Sequence, residues 1–167
     1  MYFEMDEESK ARLRKIKMVA FDVDGVLTDG GMYYGESGDC LKKFNARDGM
    51  AITKMREMGM KVAIITGEEN AMVVKRAEKL KIEEVYMFVR DKLKTATEML
   101  AKNGLTLDEL MYVGDDWLDV ELLEKAGFSC SPADGLPWAH RAAHHVLSRK
   151  GGEGVAAEML AIILSAR

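Results

Sequence analysis

The chain is short of several things. Its two cysteines, Cys40 and Cys130, are too few for a disulfide framework or a cysteine zinc site, and the reducing cytoplasm is the compartment that suits such a chain. Its two prolines, Pro132 and Pro137, share one late stretch, so no proline-rich linker divides it. No uncharged apolar run approaches the roughly 20 residues that span a bilayer. The opening MYFEMDEESK is acidic and lacks the apolar core of a secretory signal. There is no basic excess either: 24 Lys and Arg against 28 Asp and Glu leave a net charge of −4, which argues against a nucleic acid held through bulk charge. What remains is 167 residues, 48% hydrophobic, enough apolar material for one domain over residues 1–167 and too little net charge for disorder.

Four short apolar runs punctuate the chain: 18–23, 62–66 (VAIIT), 85–89 (VYMFV) and 110–113 (LMYV). They are rich in branched and aromatic residues, as buried parallel strands are. Helical spacing lies between them, in Ala51/Met55/Met58, Val73/Ala77/Leu80 and Leu93/Ala96/Leu100, and residues 6–15 read as a short charged helix or a leader. The alternation predicts an α/β fold, a Rossmann-like parallel sheet flanked by helices. Residues 30–44 interrupt it: Tyr33 and Tyr34, a turn-rich GESGD and then 40–44 predict a β-hairpin projecting after the first strand. Residues 154–163 carry two apolar stripes, at 155/159/162 and 156/160/163, which fit a helix contacted on both sides or one that is simply well buried.

Ligands of such sheets bind at the carboxyl ends of the strands. Here the first strand ends on Asp22 and Asp24, the second on Thr66-Gly67 and the fourth on GDDWLD (114–119), while Lys92 opens the helix after the third. Two aspartates after one strand are commonly turn or helix caps. Acids, a hydroxyl and an ammonium on consecutive strand ends point further. Acids from two strands hold Mg²⁺ through oxygen. A threonine, backbone N–H groups and a lysine hold phosphate oxygens. One carboxylate serves as nucleophile and another as proton donor and acceptor. That combination predicts phosphoryl transfer.

In order and spacing, DVDGVLTDG (22–30), ITG (65–67), Lys92 and GDDxxD (114–119) resemble the four motifs of the haloacid dehalogenase superfamily. Segments 29–49 and 149–158 extend the resemblance to the small phosphatases of 3-deoxy-sugar-acid phosphates. These are the 3-deoxy-D-manno-octulosonate (KDO) 8-phosphate phosphatases and their nine-carbon relatives, which act on 2-keto-3-deoxynononate (KDN) or sialic acid 9-phosphates. The resemblance implies a Mg²⁺-dependent hydrolase with Asp22 as nucleophile and Asp24 as general acid/base. It assigns the phosphoryl group to Thr66, Gly67 and Lys92. It assigns the metal to Asp22, Asp115 and the backbone carbonyl of Asp24, supported by Asp116 and Asp119. The gaps between motifs leave no room for a cap domain, and capless relatives form homotetramers whose neighbouring subunit helps to close the site. Exposed apolar area on the hairpin, from Met32, Tyr33, Tyr34 and Phe44, would serve such an assembly, with the Gly151–Gly154 turn reaching across the boundary.

Octulosonate phosphatases usually read ITGR; here position 68 is Glu68. Together with Lys79 it resembles the nine-carbon subgroup, so a nine-carbon acid 9-phosphate is the favoured substrate and KDO 8-phosphate the alternative. The plainer reading makes Glu68 a helix N-terminal acid and Lys79 a surface lysine. Ala157 stands where relatives usually have Arg, and Phe88 where they commonly have Gly. Lys42, Lys43 and Arg47 are candidates for the sugar carboxylate, or a solvated charged hairpin. His140, His144 and His145 with Asp134 are a weaker metal candidate than surface histidines. Trp117 is expected to pack the start of a helix. A reading of another class, a non-catalytic tetramerisation domain, would be marked by loss of Asp22 or Asp24, and both are present; a mutase would need a cap to keep water out.

Overall fold

The computed structural model describes residues 5–167; residues 1–4, which belong to the acidic opening and to the 1–167 boundary, lie outside the described part. The central sheet has six parallel strands in the order β5-β4-β1-β6-β7-β8: β1 (Met18–Phe21), β4 (Lys61–Ile65), β5 (Glu84–Tyr86), β6 (Leu110–Val113), β7 (Phe128–Ser131) and β8 (His145–Val146). Seven helices flank it: α1 (Glu7–Lys15), α2 (Ala46–Glu57), α3 (Ala71–Leu80), α4 (Lys92–Lys102), α5 (Val120–Lys125), α6 (Pro137–Ala142) and α7 (Val155–Ser165). The hairpin β2 (Tyr33–Gly35) and β3 (Gly38–Leu41) is the insertion between β1 and α2, and no cap interrupts the described residues.

Alternate residues of each strand feed two cores. Val19, Phe21, Ile64 and Val113 face α1, α2, α3 and α7; Met18, Ala20, Ile65 and Tyr112 face α4, α5 and α6. Most of both stripes of the last helix packs within this chain: Val155, Ala156, Met159, Ile162 and Ile163 are buried, chiefly against α2, and Leu160 is half-buried. Asp48 of α2 accepts from the Ala156 and Ala157 N–H groups (2.7 and 3.3 Å), capping α7 and tying the two helices together.

The third strand is shorter than the run 85–89 predicts. Phe88 takes φ +56°, which ends extended geometry, and Val89 turns back to donate to the Thr66 carbonyl at 3.0 Å. The Gly151–Gly152 turn packs closely on its own chain: a Cβ at Gly151 would overlap the Gly25 carbonyl, and one at Gly152 the Asp29 nitrogen. Phe44 lies half-buried under the Arg76 guanidinium (5.5 Å) and adds nothing to the outer face of the hairpin. The exposed apolar residues there are Met32, Tyr33, Tyr34 and Leu41.

Candidate active site

Register brings the site together. Phe21 pairs with Ile64 on one side and Val113 on the other, so the residues after these strand ends emerge at one edge of the sheet. Asp22, Thr66 and Asp115 leave the sheet there, and the Asp22 N–H is anchored on the Val113 carbonyl (3.1 Å). The chain must then turn sharply beneath Asp115. Gly25 does this at φ +84°, and a Cβ there would overlap Asp115 Oδ2. The resulting cleft of about 200 Å³ is lined by Asp22, Asp24, Thr66, Gly67, Glu68, Arg90, Lys92 and the loop 115–119.

Asp119 organises its floor. Fully buried, it accepts from Lys92 Nζ (2.5 Å) and the Tyr112 hydroxyl (2.5 Å) on Oδ1, and from the Asp115 and Asp116 N–H groups (2.9 and 3.0 Å) on Oδ2. Lys92 Nζ also lies 3.1 Å from Asp22 Oδ2. Tyr112 was not singled out from the sequence; its only signal is a hydroxyl inside an otherwise aliphatic strand. Burial, then the negative charge of Asp119, lifts the Tyr112 phenol well above its usual range, so it remains a donor.

Asp22, Asp115 and Asp119 bring ligand oxygens within 4.8 Å of one another, the one cluster of this kind among the described residues. Asp119 has both oxygens occupied, but Asp115 Oδ1 is buried with no partner. Burial, then the neighbouring Asp22 charge, pushes Asp115 up to about 8. Burial also pushes Asp22 up to about 7, against the pull of Lys92. A buried, orphaned carboxylate oxygen beside a second raised acid is a set that fits a hard divalent cation. Lacking that charge, the folded protein holds protons on Asp22 and Asp115 more tightly than the unfolded chain does. Their contribution to metal-free stability is therefore complete below about pH 4 and is lost as pH rises to about 8. In chelator, the melting temperature should fall across that window by more than it does with Mg²⁺, and the gain from Mg²⁺ should grow with pH. Parallel melting curves from about pH 5 to about pH 8.5 check this, and a pH-independent Mg²⁺ effect would count against the cluster.

Of the other residues singled out from the sequence, Asp24 sits at the cleft with its carboxylate bonded to Lys42 Nζ (2.5 Å) and Thr28 Oγ1 (3.3 Å), outside the acidic cluster. Lys42 is thus committed to Asp24, and Lys43 pairs with Asp29 (2.7 Å), so neither is a free receptor for a sugar carboxylate. Glu68 lines the cleft, but Lys79, in the last turn of α3, is exposed and does not line it in a single chain. Asp116 turns outward to accept from Trp138 Nε1 (3.3 Å) and the Trp117 N–H (2.5 Å). Trp117 is 69% exposed and lies edge-on to Trp138, in the first turn of α6. His140 bonds the Pro132 carbonyl, His144 bonds Ser129, and Asp134 accepts from Gly151 N–H; these groups form no metal cluster.

A fold of this topology, with an acid-lined carboxyl edge and a lysine bonded to two of the acids, defines a class. Residues 33–131 match the family described as haloacid dehalogenase-like hydrolase, and the chain belongs to that family. At finer grain, it is 33% identical over 156 residues to the 3-deoxy-D-manno-octulosonate 8-phosphate phosphatase of Haemophilus influenzae, covering 93% of this chain and 87% of that one. The Yersinia pestis enzyme of the same name superposes with a TM-score of 0.94 at 36% identity, over 99% of this chain and 89% of the other. The Moraxella catarrhalis enzyme, solved in complex with magnesium ion, phosphate ion and a KDO molecule, gives a TM-score of 0.94 at 32% identity, over 98% of this chain and 94% of the other.

Proposed function

We propose that this protein is a Mg²⁺-dependent phosphomonoesterase of a 3-deoxy-2-keto sugar acid phosphate. The observation that carries this is the cleft in which Asp22, Thr66, Lys92 and Asp115 converge, on a chain that matches octulosonate 8-phosphate phosphatases over nearly its whole length. Asp22 and Asp115, with the Asp24 carbonyl, would hold the cation, whose charge lets an anionic carboxylate approach an anionic phosphate. Asp22 attacks phosphorus, and the ester oxygen leaves with a proton from Asp24. Thr66, the Gly67 backbone and Lys92 hold the phosphoryl oxygens as charge shifts onto them. Asp24 then takes a proton from water, which attacks the aspartyl-phosphate; the bond from phosphorus to the Asp22 carboxylate breaks, and phosphate leaves. Asp119 acts through Lys92 and the 115–116 backbone and needs no contact with substrate.

For the substrate, the named relatives favour KDO 8-phosphate. The nine-carbon reading retains one specific support, Glu68 in the cleft wall; its proposed partner Lys79 would have to come from another subunit. Steady-state kcat/KM on KDO 8-phosphate, KDN 9-phosphate and N-acetylneuraminate 9-phosphate ranks the three. The highest value on KDO 8-phosphate supports the eight-carbon reading; the highest on a nine-carbon ester reinstates Glu68 as its determinant; absence of turnover on all three sinks the sugar-acid reading.

The same reading includes one domain over residues 1–167, a cytoplasmic enzyme and a homotetramer. No described helix is long and apolar enough to cross a membrane. The outer face of the hairpin, with Tyr34 69% and Leu41 61% exposed, is the surface suited to assembly. Sedimentation at assay concentration should return four chains; an active monomer would sink this part, and a tetramer without turnover on any phosphate ester would favour the non-catalytic alternative.

A further inference from the structure

Phe88 is an anomaly by ordinary criteria. It is bulky, its backbone is left-handed (φ +56°), and its side chain is 64% exposed. A non-glycine residue in that region carries backbone strain of order 1 kcal/mol or more, and an exposed ring offsets little of it by burial. The strain does place the ring under a guanidinium: Arg90 lies 4.8 Å from the ring centroid. The turn bearing both residues is stitched to the phosphate-binding loop, through Phe88 N–H to the Glu68 carbonyl (3.4 Å) and Val89 N–H to the Thr66 carbonyl (3.0 Å).

Arg90 occupies a boundary. It lines the catalytic cleft, and it also lines a second cavity of about 440 Å³ that continues past Lys92, Trp117 and Leu118 to the acids Asp91 and Glu121. Its Nη1 comes close enough to Gly67 to meet a Cβ built there at 3.7 Å. Among the described residues no carboxylate is ion-paired with it, whereas Lys42, Lys43 and Lys92 are all committed, and Arg47, though in no ion pair, lines neither cavity. A planar guanidinium steadied on one face by an aromatic ring, with its donors toward a cleft, is suited to a carboxylate by two parallel hydrogen bonds.

We propose that Arg90, steadied by Phe88, is the receptor for the substrate's carboxylate, and that the cavity beside it takes the non-phosphate part of the substrate. This rests on the reading of the substrate as a sugar acid phosphate. Lys92 and Thr66 serve the phosphoryl end; Arg90 serves the far end, and Phe88 is a positioning residue that acts only through Arg90.

The test compares KDO 8-phosphate, which has a carboxylate, with p-nitrophenyl phosphate, which has none. Arg90→Ala should lower kcat/KM on KDO 8-phosphate by about 10- to 100-fold, mostly through KM, and the fall on p-nitrophenyl phosphate should be at least about fivefold smaller. Arg90→Lys should recover only part of the loss, because the fork is gone. Phe88→Gly should melt no lower than the parent, since the strain is relieved, yet raise KM on KDO 8-phosphate about 3- to 10-fold at unchanged kcat. An equal fall on both substrates in Arg90→Ala would assign Arg90 to the phosphoryl group, and no fall on either would leave it idle; each overturns the proposal. A Phe88→Gly variant that melts lower and binds as well as the parent overturns the role of Phe88. If the parent enzyme fails on KDO 8-phosphate but turns over a nine-carbon 9-phosphate, that ester takes its place in the comparison; if it fails on all three, the sugar-acid reading fails, and 3-phosphoglycerate against glycerol 3-phosphate decides for Arg90. A carboxylate preference lost in Arg90→Ala supports it; a preference that survives there, or is absent in the parent, overturns it.

Discussion

Asp22→Asn is expected to abolish turnover on every phosphate ester while the protein stays folded. Asp22 is 7% exposed and its side chain sits among Lys92, Asp115 and Asp119, so an amide of the same shape meets no steric barrier. The fold is expected to tolerate loss of the charge. Burial disfavours the ionised form so strongly that Asp22 is raised to about 7 despite Lys92 beside it, and an amide removes one of three crowded negative charges. Metal-free melting temperature should therefore hold or rise, and Mg²⁺ should stabilise the variant less than the parent. The chemistry depends on the charge entirely, because an amide oxygen does not form the aspartyl-phosphate. The checks are turnover, melting with and without Mg²⁺, and intact mass after a rapid acid quench in substrate. The parent should show a phosphorylated fraction that the variant lacks, and a folded variant with near-parental turnover would remove Asp22 from the mechanism.

Asp119→Asn should cost stability and activity together, unlike the change at Asp22. Asp119 is 0% exposed and takes four donors: the Lys92 ammonium, the Tyr112 hydroxyl and two backbone N–H groups. An asparagine offers one oxygen and points two N–H donors at the rest, so at least one pair of donors loses its acceptor in a dry site. Breaking a buried ion pair from one side costs about 3–5 kcal/mol, which in a domain of this size lowers melting by roughly 6–20 °C. With Lys92 no longer held and the 115–116 backbone released, kcat should fall about 100-fold or more, as when a fixed transition-state donor is lost. Melting and kcat measured on one preparation check this; unchanged melting would mean that Asp119 is not the structural centre of the site.

Much of this was legible in the sequence because strand ends broadcast. An apolar run that stops on Asp22-Val23-Asp24, or on Gly114-Asp115-Asp116, states both where the strand finishes and what it presents. The hairpin was legible from its turn. The far edge of the sheet was not: β7 reads FSCS, and its two serines break the apolar pattern although both are buried. Ser129 is satisfied by His144, a partner distant in sequence, and that pairing has no local signature. Six-residue α5 and α6 are too short to declare a period. Within the site, residue types were legible and pairings were not. Lys42 looked like a receptor for substrate and is bound to Asp24; Asp119 looked like a supporting acid and is the hub. Charge can be counted along a chain, but which cation a carboxylate meets is decided by the fold.

The Gly151–Gly152 turn seated on residues 25–29 has a consequence for biosynthesis. A ribosome makes β1 early, yet that strand belongs in the middle of the sheet, between β4 and β6, and the loop after it waits for a support formed near the other end of the chain. A nascent polypeptide that has emerged only through β8 holds every described strand and all three acids of the cluster but lacks the support under residues 25–29. The loop after β1 is therefore closed from below only once residues 151–152 have been made, just ahead of the final helix.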